Sequence, residues 1–106
     1  MRVIAGTRRS MPLKAPVGMD TRPTQDRTKE TLFNVLQNEI PGAEFLDLFA
    51  GSGAISIEAL SRGASYATLV ENNKNAVSCI KDNLKFTKFS DEATLMETDV
   101  MAALYK

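Results

Sequence analysis

Asp47, Glu71 and Asp99 each stand at or just past the end of a short β-type run, and Gly51 and Gly53 follow the first of them. The segment Asp47-Leu48-Phe49-Ala50-Gly51-Ser52-Gly53 closes one such run and opens a helix-patterned stretch. Glycines two apart permit a sharp turn and let a ligand come close to the backbone. Gly-x-Gly alone is common, and its place between strand and helix is what gives it weight. Glu71 lies 20 residues beyond Gly51 and 18 beyond Gly53, at the end of the next run. An acid there accepts hydrogen bonds from ribose hydroxyls. Asp99 follows the third run and suits two roles: acceptor for an adenine amine, or N-cap of the next helix.

The charge near the loop decides between ligands. A dinucleotide brings a pyrophosphate, which a carboxylate at Asp47 repels. The third small position of a G-x-G-x-x-G fingerprint is here Ser56, not glycine or alanine. Both points count against a nicotinamide oxidoreductase. They favour a phosphate-free nucleoside carrying positive charge, and S-adenosylmethionine has both an ammonium and a sulfonium. Each residue alone has a plain structural alternative. Asp47 suits a turn, and Glu58 with Arg62 suits an i,i+4 pair on a helix surface. Asn72 and Asn73 suit turns and caps, and Cys79 suits packing. Three acids at successive strand ends with a glycine turn after the first are hard to obtain from packing alone.

The elements that must position these residues follow from periodicity. Residues 44–49, 66–71 and 93–97 read as strands. Residues 52–62 and 74–86 read as helices, the second with Val77, Ile80 and Leu84 inward, and a third helix begins at residue 100. Such alternation predicts an α/β fold with a parallel sheet. Ahead of it, residues 25–37 read as a helix capped by Thr24, with Leu32, Phe33, Val35 and Leu36 as its apolar face. Residues 1–23 read as a hairpin or arm, and residues 24–106 as the first half of a doubly wound domain, with a sheet expected to continue past its third strand.

Composition narrows the function classes. At 106 residues there is room for one domain, and 43% apolar with 25% charged residues is ordinary for a soluble one. One cysteine and no histidine argue against disulfides and structural zinc. No apolar run approaches the roughly 18 residues of a membrane span, and a reducing cytoplasm fits. The net charge is zero, yet residues 1–29 hold seven Lys/Arg against two acids, while residues 30–106 hold six against eleven. That asymmetry suits a basic arm meeting a polyanion, or a solvated terminus.

Four stretches together resemble a known family: residues 2–6 (RVIAG), residues 21–34 (TRPTQDRTKETLFN), residues 47–53, and residues 61–64 (SRGA) followed by Val70-Glu71-Asn72. The chain is similar, over essentially its whole length, to the bacterial 16S ribosomal RNA (guanine-N2)-methyltransferases. The resemblance implies a Rossmann-like fold dependent on S-adenosylmethionine. It implies Asp47, Gly51 and Gly53 around the methionine part of the cofactor, Glu71 on the ribose, Asp99 near the adenine and Thr24 over the pocket. Phe49, Ser52 and Asn72 are implied as further cofactor-binding residues. It further implies RNA contacts from Arg2, Arg8, Arg9, Lys14, Arg22 and Arg27, and an RNA or small-subunit particle as partner, without a metal. Such enzymes carry an Asp/Asn-Pro-Pro-aromatic motif after the fourth strand. No Pro-Pro occurs here, so the expectation is a donor-binding half with no catalytic residue to assign. A fragment that only binds the cofactor or RNA is the alternative.

Overall fold

The computed structural model describes residues 1–16, 22–48 and 50–105, and of residues 22–26 the backbone alone. The elements run α1 (Arg22–Leu36), β1 (Glu44–Asp47), α2 (Ala54–Ser61), β2 (Tyr66–Val70), α3 (Lys74–Thr87), a 3-10 turn (Ser90–Glu92), β3 (Ala93–Met96) and α4 (Val100–Leu104). The strands form one parallel sheet in the order β1-β2-β3. Glu44 lies opposite Tyr66 and Asp47 opposite Leu69, while Ala67 lies opposite Ala93 and Val70 opposite Met96. Parallel neighbours need a crossover between them, and α2 and α3 supply it. Each strand stops one or two residues earlier than expected, where the chain leaves the sheet to build a loop. Among the described residues, no helix is long and apolar enough to cross a membrane.

Packing explains why α2, α3 and β2 form where periodicity placed them. In β2, Ala67, Leu69 and Val70 are buried, as suits a central strand. Val77, Ile80 and Leu84 of α3 face the core, and each such aliphatic burial contributes about 1.5–3 kcal/mol. Asn73 caps α3 by accepting from the N–H groups of Asn75 and Ala76. In α2 both Ala59 and Leu60 are buried and Ile55 only partly.

The first helix differs from its expectation twice. It begins at Arg22, so Thr24 lies inside the first turn and not at the N-cap. Its inward face is also different: Lys29 and Phe33 are buried, while Leu32 is 38% and Val35 77% exposed. Val35 sits roughly 200° around the helix from Phe33, so the two cannot share one face. The partners across the interface select the face. Phe33 stacks on Phe45 of β1 at a centroid distance of 6.4 Å, and the Arg62 guanidinium covers its ring at 4.9 Å.

The N-terminal residues fold back as a hairpin in which the Val3 N–H donates to the Met11 carbonyl (3.0 Å) and that of Ser10 to the Val3 carbonyl (2.8 Å). Val3 and Leu13 enter the same buried cluster as the sheet and helices. Gly6 allows the close approach to α2: its φ is +88°, and a Cβ there would stand 1.9 Å from the Ser61 carbonyl oxygen.

Glu58 anchors this assembly. The expected pair with Arg62 is present (Nε to Oε2, 2.8 Å), but it is not on the surface. Glu58 is wholly buried. Its carboxylate also accepts from the N–H groups of Ile4 (2.9 Å) and Ala5 (3.0 Å), and pairs with buried Lys29 at 3.2 Å. Lys29 in turn donates to the Arg2 carbonyl at 2.8 Å. Burial alone would raise the Glu58 pKa. The Ile4 N–H, the Arg62 hydrogen bond, the Lys29 charge and the Ala5 N–H outweigh it and hold the carboxyl below its usual 4.5.

Replacing Glu58 with Ala strands the Lys29 ammonium and two backbone donors, and is expected to cost about 3–5 kcal/mol in urea unfolding. A loss under about 1 kcal/mol would refute the anchoring role. A carboxyl with a depressed folded pKa stabilises the fold above its unfolded value and ceases to as pH falls through the folded one. The parent chain is therefore expected to lose stability more steeply than Glu58→Gln as pH drops below 4.5.

Candidate functional site

Because the strands are parallel, their carboxyl ends lie together, and the loops after β1, β2 and β3 meet at one side of the sheet. A cleft of about 270 Å³ opens there. Leu48, Val70, Val100 and Met101 give it apolar walls, and Glu71, Asn72, Thr98 and Asp99 give polar ones. Among the described residues, no lysine or arginine lines it.

The β1 loop is built by backbone turns and one carboxylate. Gly51 (φ +57°) and Gly53 (φ +81°) adopt left-handed conformations that suit glycine. The Gly53 N–H donates to the Ala50 carbonyl at 2.8 Å, and Gly53 caps α2. Glu71 Oε1 accepts from the Gly51 N–H at 2.9 Å, and Oε2 from the Asn73 N–H at 3.0 Å. One acid thus ties the first loop to the second. Half-buried Asp47 accepts from the Ser56 hydroxyl through Oδ2 at 2.9 Å. Position 56, read in the sequence only as a departure from a dinucleotide fingerprint, helps orient the acid. Asp99 caps α4, with Oδ1 accepting from the Ala102 N–H at 2.7 Å.

The structure brings Glu71, Asn72 and Asp99 to one cleft; Asp47, Gly51, Ser52 and Gly53 are not among its lining residues, though Gly51 is hydrogen-bonded to Glu71 and Asp47 precedes the lining residue Leu48. Ser52 is buried behind the loop, its hydroxyl accepting from the Ala54 N–H at 3.3 Å. Phe49 and the side chains of Thr24 and Arg22 lie outside the described residues. Carboxylates beside apolar walls, with no cation among the described lining residues, suit a positively charged ligand and repel phosphate.

Sequence reasoning missed Asn83, which is buried on α3. Its Oδ1 accepts from the Lys14 N–H at 2.8 Å, and its Nδ2 donates to the Lys14 carbonyl and the Ser52 carbonyl, both at 2.9 Å. The amide pairs with the N-terminal segment as a neighbouring strand would, while holding the glycine loop from behind. A signal was available: position 83 falls between Ile80 and Leu84 on the inward face, where an amide needs partners.

The sheet order, the crossovers and a nucleoside-type cleft at the strand ends define a class, the α/β proteins of Rossmann-like methyltransferase fold. The chain belongs to the family described as "Conserved hypothetical protein 95", whose model matches residues 1–106. It is similar to "Ribosomal RNA small subunit methyltransferase D" of Escherichia coli K12, 41% identical over 104 residues, covering 98% of this chain and 52% of that protein. The solved structure of yhhF from Escherichia coli superposes with a TM-score of 0.89 at 42% identity, over 100% of this chain and 57% of that one. The SAM-dependent methyltransferase from Agrobacterium tumefaciens superposes at 0.64 with 25% identity, over 78% of this chain and 26% of that one. The chain spans about half the length of the curated relatives it matches.

Asn83→Asp keeps the acceptor for Lys14 but sets a second oxygen against two carbonyls. It is expected to cost about 1–3 kcal/mol in urea unfolding, and an unchanged midpoint would exclude the clamp. Glu71→Gln points an amide N–H toward the Gly51 or the Asn73 N–H. Calorimetric affinity for a nucleoside ligand is expected to fall roughly 10–100-fold, the loss of one charged hydrogen bond; undiminished affinity would remove Glu71 from the site.

Proposed function

We propose that this chain binds S-adenosylmethionine at the carboxyl ends of β1–β3, as the donor-binding half of an enzyme that methylates the exocyclic N2 amine of a guanine in small-subunit ribosomal RNA. The supporting observation is the cleft itself: acidic, apolar-walled and, among the described residues, lined by no lysine or arginine, beside a glycine turn tied down by Glu71. Asp47, Phe49, Gly51, Ser52 and Gly53 surround the methionine part in this reading, with Thr24 over it. Glu71 and Asn72 hold the ribose. Asp99, with one oxygen engaged in the cap, offers the other to the adenine amine. The relatives' name supplies the RNA class.

When bound, the cofactor supplies a methyl group already activated by its sulfonium. What remains for the protein is alignment and exclusion of water. The three acids hold the donor by charge and hydrogen bonds, and the backbone turn lets it approach without a side chain between. Exposed cations of residues 1–29, a segment of net charge +5, meet RNA phosphates, which position the substrate without reading its sequence. The target base must leave its stack to reach the methyl group. Because the chain contains no Asp/Asn-Pro-Pro-aromatic motif, the 106 residues by themselves are expected to hold the donor without transferring it.

Calorimetric titration with S-adenosylmethionine, S-adenosylhomocysteine and NAD tests this reading. The first two are expected to bind and NAD to leave no heat. Binding of NAD alone would overturn it, since the negative cleft would then accept a pyrophosphate.

A further inference from the structure

The six cations of residues 1–29 whose side chains are described divide into two groups. Arg8 donates from Nε to the Thr87 carbonyl at 2.7 Å and lies 4.4 Å over the Phe89 ring. Lys29 is buried against Glu58, and Lys14 pairs with Asp82 at 3.2 Å. These three charges are engaged within the fold. Arg2, Arg9 and Arg27 are exposed, and among the described residues their guanidinium groups make no hydrogen bond, ion pair or ring contact. They are nevertheless gathered: all three line one hollow of about 530 Å³, together with Val3, Ile4, Ser10 and Glu30.

The buried network sets this gathering. The hairpin closes through the Ser10 N–H on the Val3 carbonyl, with Ser10 at φ +71°, so Arg2 and Arg9 sit on facing arms of one turn. Lys29 fastens α1 to the Arg2 carbonyl, two residues along from Arg27. Three guanidinium groups around one hollow repel each other, and Glu30 offsets a single charge. A bound anion relieves that repulsion. Guanidinium forks match phosphate oxygens, and a site assembled beforehand costs little ordering on binding. Among the described residues no aromatic side chain lines the hollow, and a stacking surface of the kind on which proteins hold a base is not among its walls.

We propose that Arg2, Arg9 and Arg27 form a seat for one backbone phosphate of the RNA. The proposal rests on the RNA reading above and assigns it a place: the seat positions the strand and does not read bases.

The test measures affinity for a small-subunit ribosomal RNA fragment by fluorescence anisotropy across a salt series. It compares the parent chain with Arg9→Gln/Arg27→Gln, with Arg9→Glu, and with Arg8→Gln. The double variant is expected to bind about tenfold more weakly, with the slope of log affinity against log salt reduced by roughly 0.7–0.9, the release from one phosphate. Arg9→Glu is expected to weaken binding further. Both should keep the parent melting temperature and S-adenosylmethionine affinity. Arg8→Gln is expected to lower the melting temperature and keep the slope. A double variant with parent affinity and slope overturns the seat and leaves the RNA reading standing. A parent chain that binds S-adenosylmethionine but no RNA overturns both.

Discussion

One carboxylate that never meets water holds the parts of this chain in register. Glu58 receives two N–H groups from the hairpin, the ammonium of Lys29 from α1 and the guanidinium of Arg62 from its own helix. Each of these groups alone would be costly to bury; together the carboxylate offsets the buried Lys29 charge, and Arg62 keeps partial exposure for its own. The geometry must be close, because a buried charged group left unsatisfied is costly at low dielectric. Three consequences follow from this one site. The N-terminal residues become part of the core, α1 takes the face that carries Lys29, and the Arg62 side chain is placed to cover Phe33.

A second polar network, around Asn83 and Glu71, does for the cleft what Glu58 does for the body. Asn83 joins the N-terminal segment to the back of the glycine loop, and Glu71 joins the front of that loop to the start of α3. The loop is therefore gripped from both sides by side chains distant in sequence. Its positive-φ glycines leave the backbone accessible while those grips hold its position. A cleft prepared in this way does not need its ligand to order it, which lowers the entropic cost of binding.

Charge is divided between the two ends of the reading. Acids collect at the strand ends, where no described lysine or arginine lines the cleft, and unpaired arginines collect on the hairpin and α1. The first arrangement suits a positively charged nucleoside and the second a phosphate. One small domain thereby keeps the two chemistries from competing for the same side chains.

Local pattern determined the strands, the crossover helices and the glycine turn, because strand and helix periods and glycine spacing are properties of neighbouring residues. It also determined which acids stand at strand ends, since a parallel sheet puts all those ends on one side. Tertiary structure decided the rest. Leu32 and Val35 are as apolar as Phe33, and only the position of Glu58 and Phe45 across the interface selects which side of α1 is buried. Glu58 and Arg62 read as a surface pair because an i,i+4 spacing carries no information about what lies above it. Asn83 read as an unremarkable polar residue because its partners are 69 and 31 residues away. Likewise, seven cations in a row of 29 residues look alike in one dimension. Folding separates them, since a charge is engaged or left unpaired only by what the rest of the chain brings beside it.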